Sequence, residues 1–158
     1  MNKWYKLLST RHSKHYGKPS QGALFCNAGM SKPAISDLKR QSDFKWSKEF
    51  FSLYELHDGV GIRMDDGSVS WSFVPSGKLI EFKRNVVQWF EDTHPTLANA
   101  FFPFFDWGNG DVMGYVNVKG VEGILFEFSH EEYTSDADRD HDEFLKPAFE
   151  TIADFLSI

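Results

Sequence analysis

Residues 101–111 read FFPFFDWGNGD and give the clearest structural signal in the chain. Five aromatic side chains precede a Gly-Asn-Gly-Asp turn, and an apolar run leaves that turn. Asn109-Gly110 favours a tight turn because both residue types tolerate a positive φ angle. Each aromatic side chain has a large apolar area that is unfavourable in water. We therefore expect an aromatic cluster that anchors a turn leading into a central strand.

Asp111 stands at the start of that strand, where β propensity disfavours a carboxylate. Two roles are open for its side chain. It can cap the turn by accepting backbone N–H groups, or it can face a partner. Turn chemistry favours the capping role.

The composition is that of one globular domain. The chain has 158 residues, of which 41% are hydrophobic, enough to bury a core without covalent staples. Cys26 is the single cysteine, so no intrachain disulfide forms and the fold does not rely on an oxidising compartment. The first ten residues do not resemble a signal peptide, and no apolar run reaches bilayer length. We expect a soluble cytoplasmic protein.

The charge is distributed unevenly along the chain. The net charge is −6, yet residues 1–36 hold six basic residues and no acidic residue. The remainder holds 11 bases (17 − 6) against 23 acids, a net charge of −12. Such an acidic body argues against nucleic-acid binding by the main domain and suits a basic partner. Ordinary solubility is the alternative interpretation.

Helical spacing dominates the first part of the chain. Residues 1–30 are basic and predict a short helix around residues 4–8, followed by a loop or extended arm. Apolar spacing then predicts two helices. The first begins at Ile35, the second ends at Asp58-Gly59, and the break between them falls near Ser42-Asp43.

Strand signals dominate the middle of the chain. Alternation around Asp66-Gly67 predicts a β-hairpin over residues 61–75. A helix over residues 80–93 and strands over residues 112–118 and 121–128 are predicted next. An acidic loop and a final helix, with Phe144, Ala148, Ile152 and Phe155 on one stripe, complete the chain. Helices flanking a run of antiparallel strands predict the α+β class.

The acidic loop, residues 131–143, invites a calcium-site interpretation that its spacing does not support. Asp136, Asp138 and Asp140 alternate as at the start of an EF-hand loop. Counting from Asp136, however, the sixth position is His141 instead of Gly, and the twelfth is Pro147 instead of Glu. We expect a solvated charge run and no bound metal.

The sequence contains none of the common catalytic signatures. It has no His-Glu-x-x-His pair, zinc framework, Gly-x-Ser-x-Gly elbow, phosphate loop or dinucleotide fingerprint. We predict no catalytic residues and no cofactor. The competing class is a metal-assisted hydrolase, with His57, Asp58, Asp111 and His130 brought together by the fold.

The sequence offers two further candidate sites. Asp106 and Asp111 could form a carboxylate pair, although acid pairs are common in any acidic protein. Trp71, Trp107 and Tyr133 could line a surface that binds sugar or peptide, although packing in or beside the core is the usual fate of such side chains.

Five motifs in order resemble the SUKH superfamily of Smi–Knr type, which includes bacterial immunity proteins and a fungal regulator of cell-wall synthesis. They are ISDL at 35–38, FFSLYELHDG at 50–59, FPFFDWGNGD at 102–111, FEFSHE at 126–131 and FETIADFL at 149–156. Family members usually have Asn-Gly where this chain has Asp58-Gly59. The similarity covers about residues 33–158 and leaves residues 1–32 as a basic arm or short helix.

The resemblance implies a twisted, mostly antiparallel sheet with helices packed against it. It also implies a non-enzymatic protein-binding domain, most often an immunity protein that occludes a toxin, frequently a nuclease. A basic toxin domain would be the partner of an acidic body. A regulatory scaffold, as in the fungal relatives, is the alternative. The candidate contacts, chosen from motif ends and strand-end loops, are Asp58, Trp107, Asp111, His130, Glu131 and Glu132.

Overall fold

The structure is a computed structural model that describes residues 2–17, 22–133 and 140–158. The helices in this part are α1 (Lys3–Tyr16), α2 (Lys32–Ser42), α3 (Lys48–Tyr54), α4 (Leu79–Val87), α5 (Pro95–Ala100) and α6 (Ile152–Ser157). The strands are β1 (Ala23–Cys26), β2 (Val60–Arg63), β3 (Val69–Phe73), β4 (Phe101–Asp106), β5 (Val112–Val116), β6 (Leu125–Phe128) and β7 (Leu145–Phe149). Short 3-10 turns lie at Ser76–Lys78 and His141–Glu143.

The strands form one antiparallel sheet in the order β1 to β7, so each strand pairs with its neighbours in sequence. The predicted α+β class, a single domain with helices packed on an antiparallel sheet, is confirmed. Pairing is shortest between β3 and β4, where the register holds only Ser72 opposite Asp106 and Phe73 opposite Phe105. The predicted hairpin around Asp66-Gly67 is also confirmed, with Gly67 at a φ of 84°.

Helices pack on both faces of the sheet because its central strands are apolar on both faces. Along β5, Met113 and Tyr115 belong to one core, and Val112 and Val116 belong to the other. The first core also holds buried side chains of α1, α2, α3 and α6. The second holds the end of α4, the turn after it, and Ala98 of α5. Successive side chains of a strand point to opposite faces, and both faces of β5 are buried, which explains why β5 has no polar residue.

The aromatic segment is itself strand β4, and not only an anchor for the turn after it. Its register with β5 shifts between Pro103 and Phe105, so Phe104 and Phe105 both enter the first core. Proline suits such an irregular position because it has no N–H to give to the ladder. Gly114 lies opposite, where an added Cβ would stand 2.1 Å from the carbonyl oxygen of Phe102.

The N-terminal helix is longer than the sequence predicted. α1 continues to Tyr16, and Trp4 and Leu8 are buried in the first core. The third buried position of α1 is Arg11, which donates to the carbonyl oxygen of Phe155 at 2.8 Å. Because the buried Arg11 interrupts the apolar stripe of α1, the helical spacing of apolar residues predicts the helix only as far as Leu8.

The predicted final helix is wrong in its first half. Residues 145–149 form strand β7, and the helix α6 begins only at Ile152. Pro147 lies in β7 opposite Phe126, on an edge strand where a missing N–H is tolerated. Phe144 and Ala148 lie at helical spacing from Ile152 by coincidence. The helix predicted over residues 80–93 is shorter as well, and Pro95 starts α5.

The two predicted early helices exist, with α2 starting at Lys32, three residues before Ile35, because Ser31 caps it. The predicted break is confirmed at Asp43, which has a left-handed φ of 43°. Across the described residues, none of the helices combines the length and apolarity needed to cross a membrane.

Candidate functional site

Acidic side chains gather at one edge of the sheet, which we call the acidic edge. In an antiparallel meander, alternate connections lie at the same edge, so the β2–β3, β4–β5 and β6–β7 connections meet there. In their described residues, these connections and the strand ends beside them contribute Asp65, Asp66, Asp106, Asp111, Glu131, Glu132, Asp140, Asp142 and Glu143. Within the described parts of these three connections there is no lysine or arginine, although Arg63 ends β2 at this edge and Lys146 of β7 bonds to Glu132.

Several of these carboxylates hold their own turns in shape. Asp66 accepts hydrogen bonds from the backbone N–H of Ser68 at 2.9 Å and from its hydroxyl at 2.6 Å. These Ser68 bonds lower the pKa of the exposed Asp66 carboxyl. Asp106 accepts the N–H of Gly108 at 2.7 Å. Such local bonds explain why Asp precedes both turns, and they hold the two carboxylates in fixed positions.

Asp111 does not cap its own turn, because Asn109 accepts the Asp111 N–H at 3.0 Å. Instead, Asp111 Oδ1 accepts the backbone N–H of His130 at 3.0 Å and contacts His130 Nδ1 at 2.7 Å. The two side chains are 20% and 29% exposed, respectively. Gly110 presses against the same ring, since an added Cβ would lie 2.8 Å from His130 Nδ1. The pair therefore ties the β4–β5 turn to the end of β6.

A half-buried carboxylate, Glu127, lies beside this pair. Burial raises the pKa of the Glu127 carboxyl and the charge of Asp111 raises it further, while the Trp107 indole opposes both effects. Trp107 packs on Phe155 with ring centroids 5.6 Å apart, and no hydrogen bond of good geometry forms at its buried Nε1 in the described structure. Lys146 lies opposite Glu127 in β7 but bonds to Glu132 at 2.6 Å. Among the described residues, no cation is therefore ion-paired with Glu127.

The structure brings most of the predicted contact residues to one region. Trp107, Asp111, His130, Glu131 and Glu132 all lie at or next to the acidic edge. Asp58 does not, because the β1–β2 connection in which it lies is at the opposite edge of the sheet. Its carboxylate accepts the N–H of Ser76 at 2.6 Å and the Ser76 hydroxyl at 2.7 Å. Those bonds give Asp58 a role in holding the turn before α4.

The residues suggested for a hydrolase are not brought together as a group. Asp111 and His130 are in contact, whereas His57 and Asp58 lie at the other edge. His57 follows α3 and is half-buried. Its buried Nε2 has no hydrogen-bond partner among the described residues, and its ring lies 6.4 Å from that of Tyr5.

The other suggested sites also separate. Asp106 bonds to Gly108 and lines a cavity beside α4, whereas Asp111 bonds to His130, so the two carboxylates serve different contacts. Trp71 is buried in the first core, and Tyr133 packs on Phe144 at the second. Asp136 and Asp138 lie outside the described residues. Within the described ranges, no three His, Cys, Asp or Glu side chains are grouped to hold a metal ion.

Trp89 is a site candidate that the sequence reasoning missed. It follows α4, is 52% exposed, and forms one wall of the cavity that Asp106 lines. The available signal was its position, since it lies between Val86, Val87 and Phe90, which all face the second core. A tryptophan that is exposed while its apolar neighbours face the core is a candidate for surface recognition.

The comparisons with known proteins do not supply a family. No protein-family model matches the chain, and no curated protein matches it. The acidic edge and its surroundings are therefore the features that indicate a function.

Proposed function

We propose that this protein is a non-enzymatic protein-binding domain that acts in the cytoplasm by occluding a basic protein partner. The observation that carries the proposal is the acidic edge, where three connections present carboxylates without a described lysine or arginine among them. Together with the resemblance to the SUKH superfamily, it favours an immunity protein whose partner is a basic toxin domain, such as a nuclease.

The geometry of the acidic edge suits recognition of a positively charged surface. Neighbouring strands are spaced about 4.8 Å apart, so the β2–β3 and β6–β7 connections lie roughly 19 Å apart. That width is comparable with one side of an ordinary protein–protein interface. Carboxylates held by backbone N–H groups lose little conformational freedom on binding, and their summed field accelerates encounter with a basic partner.

Binding by occlusion requires no chemical step, which matches the separation of the suggested hydrolase residues between two edges of the sheet. Asp111 and His130 are bound to each other and connect two turns. In this proposal the pair supports the shape of the interface, and Glu131 and Glu132, both exposed, contact the partner.

The first test is a pull-down from the native host with this protein as bait, at low and then at moderate salt. We expect a stoichiometric basic protein whose retention falls as salt screens the charges. If no protein is retained at low salt and a metal or small molecule accompanies the purified protein, the binding proposal is wrong and the hydrolase class gains support.

Charge reversal at the acidic edge gives a sharper test. The double variant E131K/E132K should weaken binding of the captured partner by tenfold or more, chiefly through slower association. The control E55K/E150K makes the same change in net charge at two exposed acids outside the acidic edge and should leave affinity nearly unchanged. Equal weakening by both variants would show that overall charge, and not this edge, drives binding. Circular dichroism should show that both variants are folded.

A further inference from the structure

A small cavity lies between the turn after α4 and the β4–β5 connection. We call it the Trp89 notch. Its volume is about 290 Å³, near the lower limit of small-molecule sites. Its lining includes Phe82, Val86, Trp89, Asp106, Gly108 and Gly110. A space of this size fits one long side chain better than a free metabolite.

The Trp89 indole is a costly group to leave in water. It is 52% exposed, whereas Trp4 and Trp71 are each 2% exposed. Its inward neighbours Val86 and Phe90 are buried, so the helix does not need Trp89 for the core. An exposed indole face beside a carboxylate is a favourable environment for a cation, because the ring face is electron-rich.

Asp106 supplies that carboxylate. Its Oδ1 accepts the Gly108 N–H at 2.7 Å, which fixes the orientation of the group. No ion pair to Asp106 forms within the described structure, and no lysine or arginine lines the notch there. The site therefore carries a carboxylate that is not ion-paired to any described residue, although Arg63 and Lys78 line a neighbouring cavity that Asp106 also borders.

The floor of the notch includes bare backbone. Gly108 and Gly110 have φ angles of 74° and 104°, a region that disfavours residues with a Cβ. Side chains at these positions would also meet the Ser70 carbonyl oxygen and the His130 ring. Glycine at both positions is therefore required for the turn to pack, and the two glycines line the notch without side chains of their own.

We propose that the Trp89 notch binds an arginine side chain presented by the basic partner. The guanidinium plane stacks on Trp89 and donates to Asp106, and the aliphatic stem covers Phe82 and Val86. Arginine is favoured over lysine because its planar group can stack and donate two hydrogen bonds at once. The identity of the partner rests on the proposed function, but recognition of the side chain can be tested without the partner.

The test is a titration of ¹⁵N-labelled protein with acetyl-Gly-Arg-Gly-amide, followed by NMR. Saturable shifts are expected at the Trp89 indole N–H and at the Gly108 and Gly110 amides. The neutral peptide acetyl-Gly-Gln-Gly-amide should not reproduce them. Asp106→Asn, which keeps an acceptor for the Gly108 N–H, and Trp89→Ala should each weaken binding about two- to fivefold. The control Asp65→Asn removes a charge from the acidic edge outside the notch and should not change these shifts.

The proposal is overturned if Asp106→Asn binds the arginine peptide as well as the unaltered protein does. It is also overturned if the shifts spread over the acidic edge and leave Trp89 unmoved. This titration does not depend on the pull-down. If the pull-down fails but the titration saturates, the proposed partner is rejected and the Trp89 notch is retained as an arginine site. If the pull-down succeeds but the titration does not saturate, only the arginine site at the notch is rejected.

Discussion

At Asp111 one carboxylate oxygen serves two groups of His130, and this gives the residue a measurable structural role. Asp111→Ala should lower the free energy of unfolding by about 1–3 kcal/mol, because it leaves a partly buried N–H and a ring nitrogen without their acceptor. Urea denaturation measures the change. Asp65→Ala is the matched control, since Asp65 is exposed, and it should change stability by less than about 0.5 kcal/mol. Equal effects would contradict the role given to the pair.

Glu127 makes the stability of the protein depend on pH. Burial, followed by the charge of Asp111, raises the pKa of this carboxyl in the folded state, so ionisation favours unfolding. The destabilisation by the ionised Glu127 is absent at pH values below the ordinary glutamate pKa of about 4.3. It develops as the pH rises through the raised folded pKa.

Glu127→Gln should therefore stabilise the protein at pH 7, and the gain should vanish near pH 4. Because the side chain is only half-buried, solvent screening keeps the gain below about 1 kcal/mol. Urea denaturation of both proteins at the two pH values measures it. If the Glu127→Gln variant is no more stable than the unaltered protein at pH 7, the raised pKa of Glu127 is contradicted.

At the scale of secondary-structure elements, α3 fixes α6 through one side chain. Glu49 of α3 accepts the N–H of Ile152 at 2.8 Å and the N–H of Ala153 at 3.1 Å. Two otherwise unpaired N–H groups of the first turn of α6 are thereby satisfied across the core. The carboxylate also lies at the positive end of the helix dipole.

Glu49→Ala should lower the free energy of unfolding by about 1–2 kcal/mol, because α6 loses this cap. Glu49→Gln, which retains one acceptor oxygen, should recover part of the loss. Glu55→Ala, an exposed acid just after α3, serves as the control. Thermal and urea unfolding measure all three, and a loss no larger than that of the control would contradict the capping role.

Local sequence signals predicted the elements that local chemistry determines. The Asp66-Gly67 hairpin and the break at Asp43 follow from turn residues, and the structure has both. β7 and the second half of α1 were not predicted, since Pro147 and the buried Arg11 contradict the usual patterns and are accommodated only by tertiary contacts. For the candidate site, most predicted contacts converge, but Asp58 does not, because sequence spacing does not show at which edge a connection lies.

At the scale of the whole molecule, the N-terminal segment is built into the main core. Trp4 and Leu8 are buried with α6, and Arg11 donates to the Phe155 carbonyl and lies 4.4 Å from the centre of the Phe155 ring. Strand β1 pairs with β2 along four residue positions. Removal of residues 1–32 would uncover apolar surface of α6 and one side of β2.

We therefore expect the fragment 33–158 to lose cooperative unfolding. Thermal unfolding followed by near-ultraviolet circular dichroism would show a broad transition, or none. The complete chain measured under the same conditions is the control. A sharp transition in the fragment would instead support an autonomous domain that begins at residue 33, as the family resemblance implies.

The short pairing between β3 and β4 divides the sheet into two blocks, one made of β1–β3 and the other of β4–β7. The β2–β3, β4–β5 and β5–β6 pairs close over short connections, which is kinetically fast, whereas β1 joins β2 across the 33 residues from Asn27 to Gly59. The two blocks are joined by the 27-residue connection from Val74 to Ala100, and their strands pair at only two residue positions, between β3 and β4. Docking of the blocks therefore orders a long connection for little strand pairing. We therefore expect the short-loop hairpins to form early and the two blocks to dock late. In native-state hydrogen exchange they would then open as two separate cooperative units, with the boundary at the β3–β4 seam.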